Sequence, residues 1–256
     1  MRKWTFILFT ALHALTGPCL ALGQDKSVPV ETIERIKSAT APIVCGAPRV
    51  DRSSFHISRN LGTAFFINGE GYFLTAAHVV TALEQFNASQ SQCFPAIYMP
   101  IGGWRTTGGV HWFRFGECVK DPEADIAVCK PTTSPFAAED VKRQLTFVAF
   151  GTALNVKDGT ALAFTGFPLQ FLRPVTSKGN LAAYLDLDKK IVIDKAAWGG
   201  ASGSPVYLAD GSVIGILIER GTGESIGLAL ARPAEFITDF LTKNKIQFSQ
   251  QKQKQK

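Results

Sequence analysis

Gly199-Gly200-Ala201-Ser202-Gly203-Ser204-Pro205, followed at once by Val206-Tyr207-Leu208, is a glycine-bracketed turn that opens into a short apolar strand. Small residues on both sides of Ser202 let backbone amides come close to a ligand oxygen. A serine hydroxyl presented this way attacks a carbonyl only when a base takes its proton. Two segments upstream can supply the base and its partner. Thr75-Ala76-Ala77-His78 closes one apolar run, and Asp125-Ile126-Ala127-Val128 sets an acid at the start of another. Histidine titrates near neutrality, and an acid on the far side of its ring selects the tautomer and stabilises the imidazolium. The candidate catalytic residues are therefore His78, Asp125 and Ser202. The N–H groups of Gly200 and Ser202 are the candidate oxyanion donors.

Outward from these segments the chain alternates short apolar runs with turn residues. In the first half, strands are expected at Ala41–Cys45, Gly62–Ile67, Gly71–Thr75, Ala96–Ile101, Val110–Phe115 and Ile126–Cys129. Asn68-Gly69-Glu70 supplies hairpin chemistry between two of them, and a polar loop is expected over 51–60. The second half repeats the style from Thr146 to Leu230, after a Pro- and Ser-bearing connection at 131–139. Short strands at this spacing indicate barrels or a sandwich. Helical patterning is confined to Pro29–Thr40, one or two turns after His78, and a closing helix at Pro233–Asn244.

Taken together, Thr75-Ala76-Ala77-His78, Asp125-Ile126-Ala127 and Gly200-Ala201-Ser202-Gly203-Ser204-Pro205 resemble the signature segments of trypsin-like serine peptidases. Gly62-Thr63-Ala64-Phe65, Phe164-Thr165-Gly166-Phe167-Pro168 and Gly227-Leu228-Ala229-Leu230 extend the likeness over roughly residues 40–242. It is nearest to bacterial members, the HtrA (Deg) protease domain without its PDZ module and the glutamyl endopeptidases. The resemblance implies an all-β fold of two six-stranded antiparallel β-barrels, chymotrypsin-like, with a C-terminal helix. It also implies serine endopeptidase activity on polypeptide through an acyl-enzyme, with no cofactor. Ala196 and Ala197 are implied at the base of the primary specificity pocket and Gly227 on its wall, which favours a small or apolar side chain before the cleaved bond. Ala201 stands where trypsin has the acid that pairs with a freed N-terminus, and no histidine follows Ser202. Activation through a new N-terminus and a glutamyl preference are therefore not implied.

Other classes fit less well. An α/β-hydrolase needs Gly-x-Ser-x-Gly with the histidine last, whereas Ser204 holds the final glycine position and His78 comes first. A catalytically silent trypsin-like binding module is the remaining alternative. The formal charge of +6 owes five charges to Arg2, Lys3, Lys252, Lys254 and Lys256, leaving +1 for the body, so nucleic acid is not an expected partner.

The ends and the cysteines complete the expectation. Residues 1–23 read as a cleaved signal peptide: a positive start, a short apolar run, then Ala21-Leu22-Gly23. The mature chain is then periplasmic or extracellular, with no stable membrane anchor after cleavage. The organisation that follows is an extension with a helix at 24–40, a first barrel at 41–135, a second barrel and closing helix at 136–246, and a disordered tail at 247–256. Cys45, Cys93, Cys118 and Cys129 remain after cleavage, and none has the C-x-x-C spacing of a zinc site, so no metal is expected. Strand-like residues around Cys118 and Cys129 suggest a hairpin that sets them opposite each other. Cys45–Cys93 follows by elimination.

Overall fold

A computed structural model describes residues 27–48, 55–89, 93–106 and 109–251. The expected signal peptide at 1–23 and the end of the expected tail, 252–256, lie outside the described residues.

A helix α1 (Val30–Ser38) leads into β1 (Thr40–Pro48), β2 (Phe55–Phe66), β3 (Phe73–Thr75), helix α2 (Ala77–Ser89), β4 (Phe94–Pro100), β5 (Val110–Asp121) and β6 (Ile126–Pro131). The six strands close in the order β1-β2-β3-β6-β5-β4, every observed pairing being antiparallel. Asn68 makes the tight β2–β3 connection, because its Oδ1 accepts the N–H groups of Glu70 and Tyr72. The polar loop expected over 51–60 is corrected: from Phe55 onward this stretch is β2, laddered against Gly46–Pro48 and Cys45 of β1. Alternation of Phe55 and Ile57 with polar neighbours carried that signal.

The second half holds β7 (Ala149–Phe150), β8 (Ala161–Gly166), β9 (Val175–Leu185), β10 (Lys190–Ile193), β11 (Pro205–Leu208), β12 (Ser212–Arg220), β13 (Ala229–Pro233), helix α3 (Ala234–Lys243) and β14 (Ser249–Gln250). Six of these strands form a ring, β11-β8-β9-β10-β13-β12, which the β11–β12 ladder closes. Two six-stranded antiparallel barrels thus make up the fold. Each has its own buried core, with Phe65, Phe66 and Phe73 in the first and Leu181, Ile191 and Ile214 in the second.

The tail expectation also needs correction over 247–251. β14 pairs in parallel with β7, Phe248 stacks edge-on against Phe150 at 5.8 Å, and the Gln247 carbonyl accepts from Asn68 Nδ2. Polar composition concealed this, because the contact rests on one aromatic and on backbone hydrogen bonds that no side chain announces.

Candidate active site

Strand ends bring the three chemical segments to the seam between the barrels. β3 ends at Thr75, so His78 falls in the first turn of α2, where backbone N–H groups lack helical partners. Asp125 stands just before β6, in the left-handed region with φ 56°. That conformation costs roughly 1 kcal/mol for a side chain of this kind. Its contacts hold it there. Asp125 Oδ1 accepts the His78 backbone N–H at 2.9 Å, Oδ2 lies 2.8 Å from His78 Nδ1, and its carbonyl accepts from Ala77 N–H at 3.2 Å. Because a carboxylate oxygen accepts, the proton of this pair sits on Nδ1 and leaves Nε2 as an acceptor. One acid both caps the helix and sets the imidazole.

Ser202 is held from both barrels. Its carbonyl accepts from Thr63 N–H of β2 at 2.9 Å, and Gly203 N–H donates to Leu217 of β12 at 2.7 Å. Gly203 has φ 88°, and a Cβ there would collide with the Thr63 carbonyl and the Thr75 hydroxyl. Only glycine lets the turn lie this close to the first barrel.

The segment that carries the candidate oxyanion donors is fixed by a neighbouring turn at 167–171. The Gly199 carbonyl accepts from Leu169 N–H at 2.8 Å, and the Gly200 carbonyl accepts from the Thr63 hydroxyl at 2.9 Å. The Gly199–Gly200 peptide is trans, as is every peptide among the described residues, so the Gly200 N–H points away from Leu169. Neither the Gly200 nor the Ser202 N–H is spent on another group among the described residues. Leu169 and Gln170 both take positive φ, 53° and 63°. The Gln170 amide offsets that strain by pairing with the Asn60 backbone, accepting from its N–H and donating to its carbonyl, each at 3.0 Å.

His78 and Ser202 share a cavity of about 350 Å³ with Ala197, Trp198, Glu219 and Arg220. Of the three residues expected to form the specificity pocket, Ala197 lines it, whereas Ala196 and Gly227 are not among its lining residues. Trp198, 54% exposed, went unforeseen; a tryptophan four residues before Ser202 was the available signal. Glu219 is tied to Lys190 at 2.9 Å. Glu219 and Arg220 ladder with β13 on one edge after a bulge at Ile218, and no strand pairs with the other edge of 218–220 among the described residues.

The expected cysteine neighbours are adjacent. Cys118 faces Cys129 across the β5–β6 ladder with Cα atoms 4.4 Å apart, and Cys45 lies beside Cys93 at 5.4 Å. Among the described residues no cluster of three or more potential metal ligands occurs, and no helix is long and apolar enough to cross a membrane.

Comparison with known proteins bears on this geometry. A family model described as a trypsin-like peptidase domain matches residues 62–216. The probable periplasmic serine endoprotease DegP-like of Rhizobium meliloti (strain 1021) is 28% identical over 188 residues, covering 71% of this chain and 32% of that protein. Its namesake in Brucella suis biovar 1 (strain 1330) is 30% identical over 180 residues, covering 68% of this chain and 30% of that protein. The chain thus spans about a third of the length of the curated relatives it matches. The crystal structure of Deg5 shares the fold, with a TM-score of 0.60 at 17% identity over 82% of this chain and 90% of that one. The family match spans more than half of the sequence and includes His78, Asp125 and Ser202, and the chain belongs to the trypsin-like peptidase family.

Proposed function

We propose that the chain is an exported serine endopeptidase that cleaves extended polypeptide with Ser202 as nucleophile, His78 as general base and Asp125 as the residue that orients it. The observation that carries this reading is the two-point hold of Asp125 on His78, beside a cavity that His78 shares with Ser202. His78 Nε2 takes the hydroxyl proton as Ser202 Oγ bonds to the scissile carbonyl carbon. The Gly200 and Ser202 N–H groups receive the oxyanion. His78 then returns the proton to the leaving nitrogen as the C–N bond breaks, and water repeats the sequence on the acyl-enzyme. The unpaired edge at 218–220 suits a substrate strand, since an extended chain can complete the ladder there. Ala197 and Trp198 make an apolar floor for the side chain before the cut. In the same reading Cys45–Cys93 and Cys118–Cys129 are disulfides, as their Cα separations of 5.4 and 4.4 Å allow. Relatives named as periplasmic endoproteases support an exported enzyme.

A peptide library incubated with the protein tests the reading. Cleavage after small or apolar residues is expected. No turnover of any member would favour the silent binding module. That alternative draws on one feature: no hydrogen bond joins His78 to Ser202 in the structure. Such bonds commonly tighten only when substrate binds.

Gln170 gives a second check, because it holds the turn that turns the Gly199 carbonyl away from the active site. Gln170→Ala should lower kcat about tenfold with KM nearly unchanged, part of the roughly 100-fold or greater cost of losing an oxyanion donor outright. Steady-state kinetics on one good peptide reads this. A change in KM alone would mean that the turn contacts substrate instead.

A further inference from the structure

A second cavity, of about 380 Å³, opens on the outer wall of the first barrel. Ile57, Tyr98, Trp104, Trp112, Leu172 and Arg173 line it. Its aromatic rings pack on one another, Tyr98 against Trp112 at 4.9 Å and against Trp104 at 6.0 Å. Two of their polar tips are already engaged: the Tyr98 hydroxyl donates to the Leu172 carbonyl and the Trp104 indole N–H to the Lys37 carbonyl. What faces the cavity is therefore mainly ring surface. Its volume falls in the range of real ligand pockets.

One short turn links the wall of this cavity to the candidate active site. Leu169 N–H holds the Gly199 carbonyl, and three residues later the Leu172 carbonyl receives Tyr98. Trp104 also packs at 5.1 Å, tilted, against Phe167, whose N–H donates to the Thr63 hydroxyl that holds Gly200. Along this turn Leu169, Phe171 and Leu172 are 53%, 51% and 56% exposed, an apolar surface leading from Gly199 to the cavity. Arg173 is the one ionisable cation in the lining, and no carboxylate lies there. Its hydrogen bond to the Thr106 carbonyl, at 3.5 Å, is a weak one.

We propose that this cavity is a substrate exosite, which takes a large apolar side chain and a nearby carboxylate from the leaving-group side of the polypeptide. The proposal rests on the peptidase reading and names a substrate feature for it. The edge at 218–220 and the floor at Ala197 occupy one side of Ser202, so the other half of the substrate runs past Asn60 and the 167–171 turn. β2 itself measures the reach. Thr63 is bonded to the Ser202 carbonyl and Ile57 lines the cavity six residues away, which at strand rise is about 20 Å. About six extended residues after the cut would place an aromatic residue in the cavity and an acid beside Arg173.

The test pairs two peptides with the same cleaved bond, one ending two residues after it and one carrying Trp-Glu about six residues after it. Arg173→Glu and Leu172→Ser alter exposed side chains and leave the triad alone. Each should lower kcat/KM about tenfold on the long peptide and leave the short one unchanged. Equal loss on both peptides, or no loss on either, would overturn the exosite. A binding arm separates the two ideas: the leaving half alone, made with Phe in place of its Trp and added to the Ser202→Ala protein, should quench the protein's tryptophan fluorescence, and Arg173→Glu should abolish the quench. No quench overturns the exosite, whereas a quench without wild-type turnover overturns the peptidase reading only. Sedimentation that shows a second copy of the chain seated there, released by Arg173→Glu, would also overturn the proposal.

Discussion

Ser202→Ala and His78→Ala should each lower turnover about a millionfold, close to 8 kcal/mol of transition-state stabilisation. The double variant should be no worse than either one, because the nucleophile and base act as a unit. Asp125→Asn is expected to cost about ten-thousandfold. The asparagine can still cap the His78 backbone N–H through its carbonyl oxygen, but its amide no longer selects the Nδ1–H tautomer. Stability should barely move in Ser202→Ala, since the variant removes one oxygen from the wall of an open cavity. Single-turnover kinetics beside a denaturant titration checks both halves. A tenfold loss, or additive losses, would mean that these residues bind substrate without transferring a proton.

Gly203→Ala should act on the fold itself. The residue combines a φ of 88° with a backbone that touches the first barrel, so a methyl group would meet the Thr63 carbonyl, the Thr75 hydroxyl and Ala76 N. Neither barrel can yield alone. The Ser202 carbonyl is bonded to β2, and the Gly203 N–H is bonded to β12. A loss of about 4 kcal/mol or more is expected from strain and overpacking together. Thermal unfolding reads it: the variant should melt far below the wild type or fail to accumulate. Wild-type stability would show that the seam is looser than these contacts imply.

Much of this architecture was visible in the residues. The strand-ending His78, the strand-starting Asp125 and the glycine-bracketed Ser202 stood out because each joins a reactive group to a change of backbone type. Tertiary information was the part that stayed hidden. Whether Ala196, Ala197 or Gly227 lines a cavity depends on how the 196–203 turn leans on β12, and short-range pattern does not contain that. The role of Gln170 was equally silent, since a glutamine in a Pro-Leu-Gln-Phe run signals nothing until its amide meets Asn60, 110 residues away. Phe248 docked for a similar reason: one ring among glutamines is enough when Phe150 waits for it. Partners with a chemical signature, such as Cys45 with Cys93 and His78 with Asp125, were legible across long separations, whereas partners without one, such as Gln170 with Asn60 and Phe248 with Phe150, were not.

The most direct test is to treat the folded protein with a fluorophosphonate and map the modified peptide by mass. The reagent phosphonylates a serine only where a base activates it. One adduct is expected, on Ser202, with none in His78→Ala. Ser204 should stay unmodified, because its hydroxyl is fully buried. An adduct on Ser204, or undiminished labelling of His78→Ala, would contradict the account.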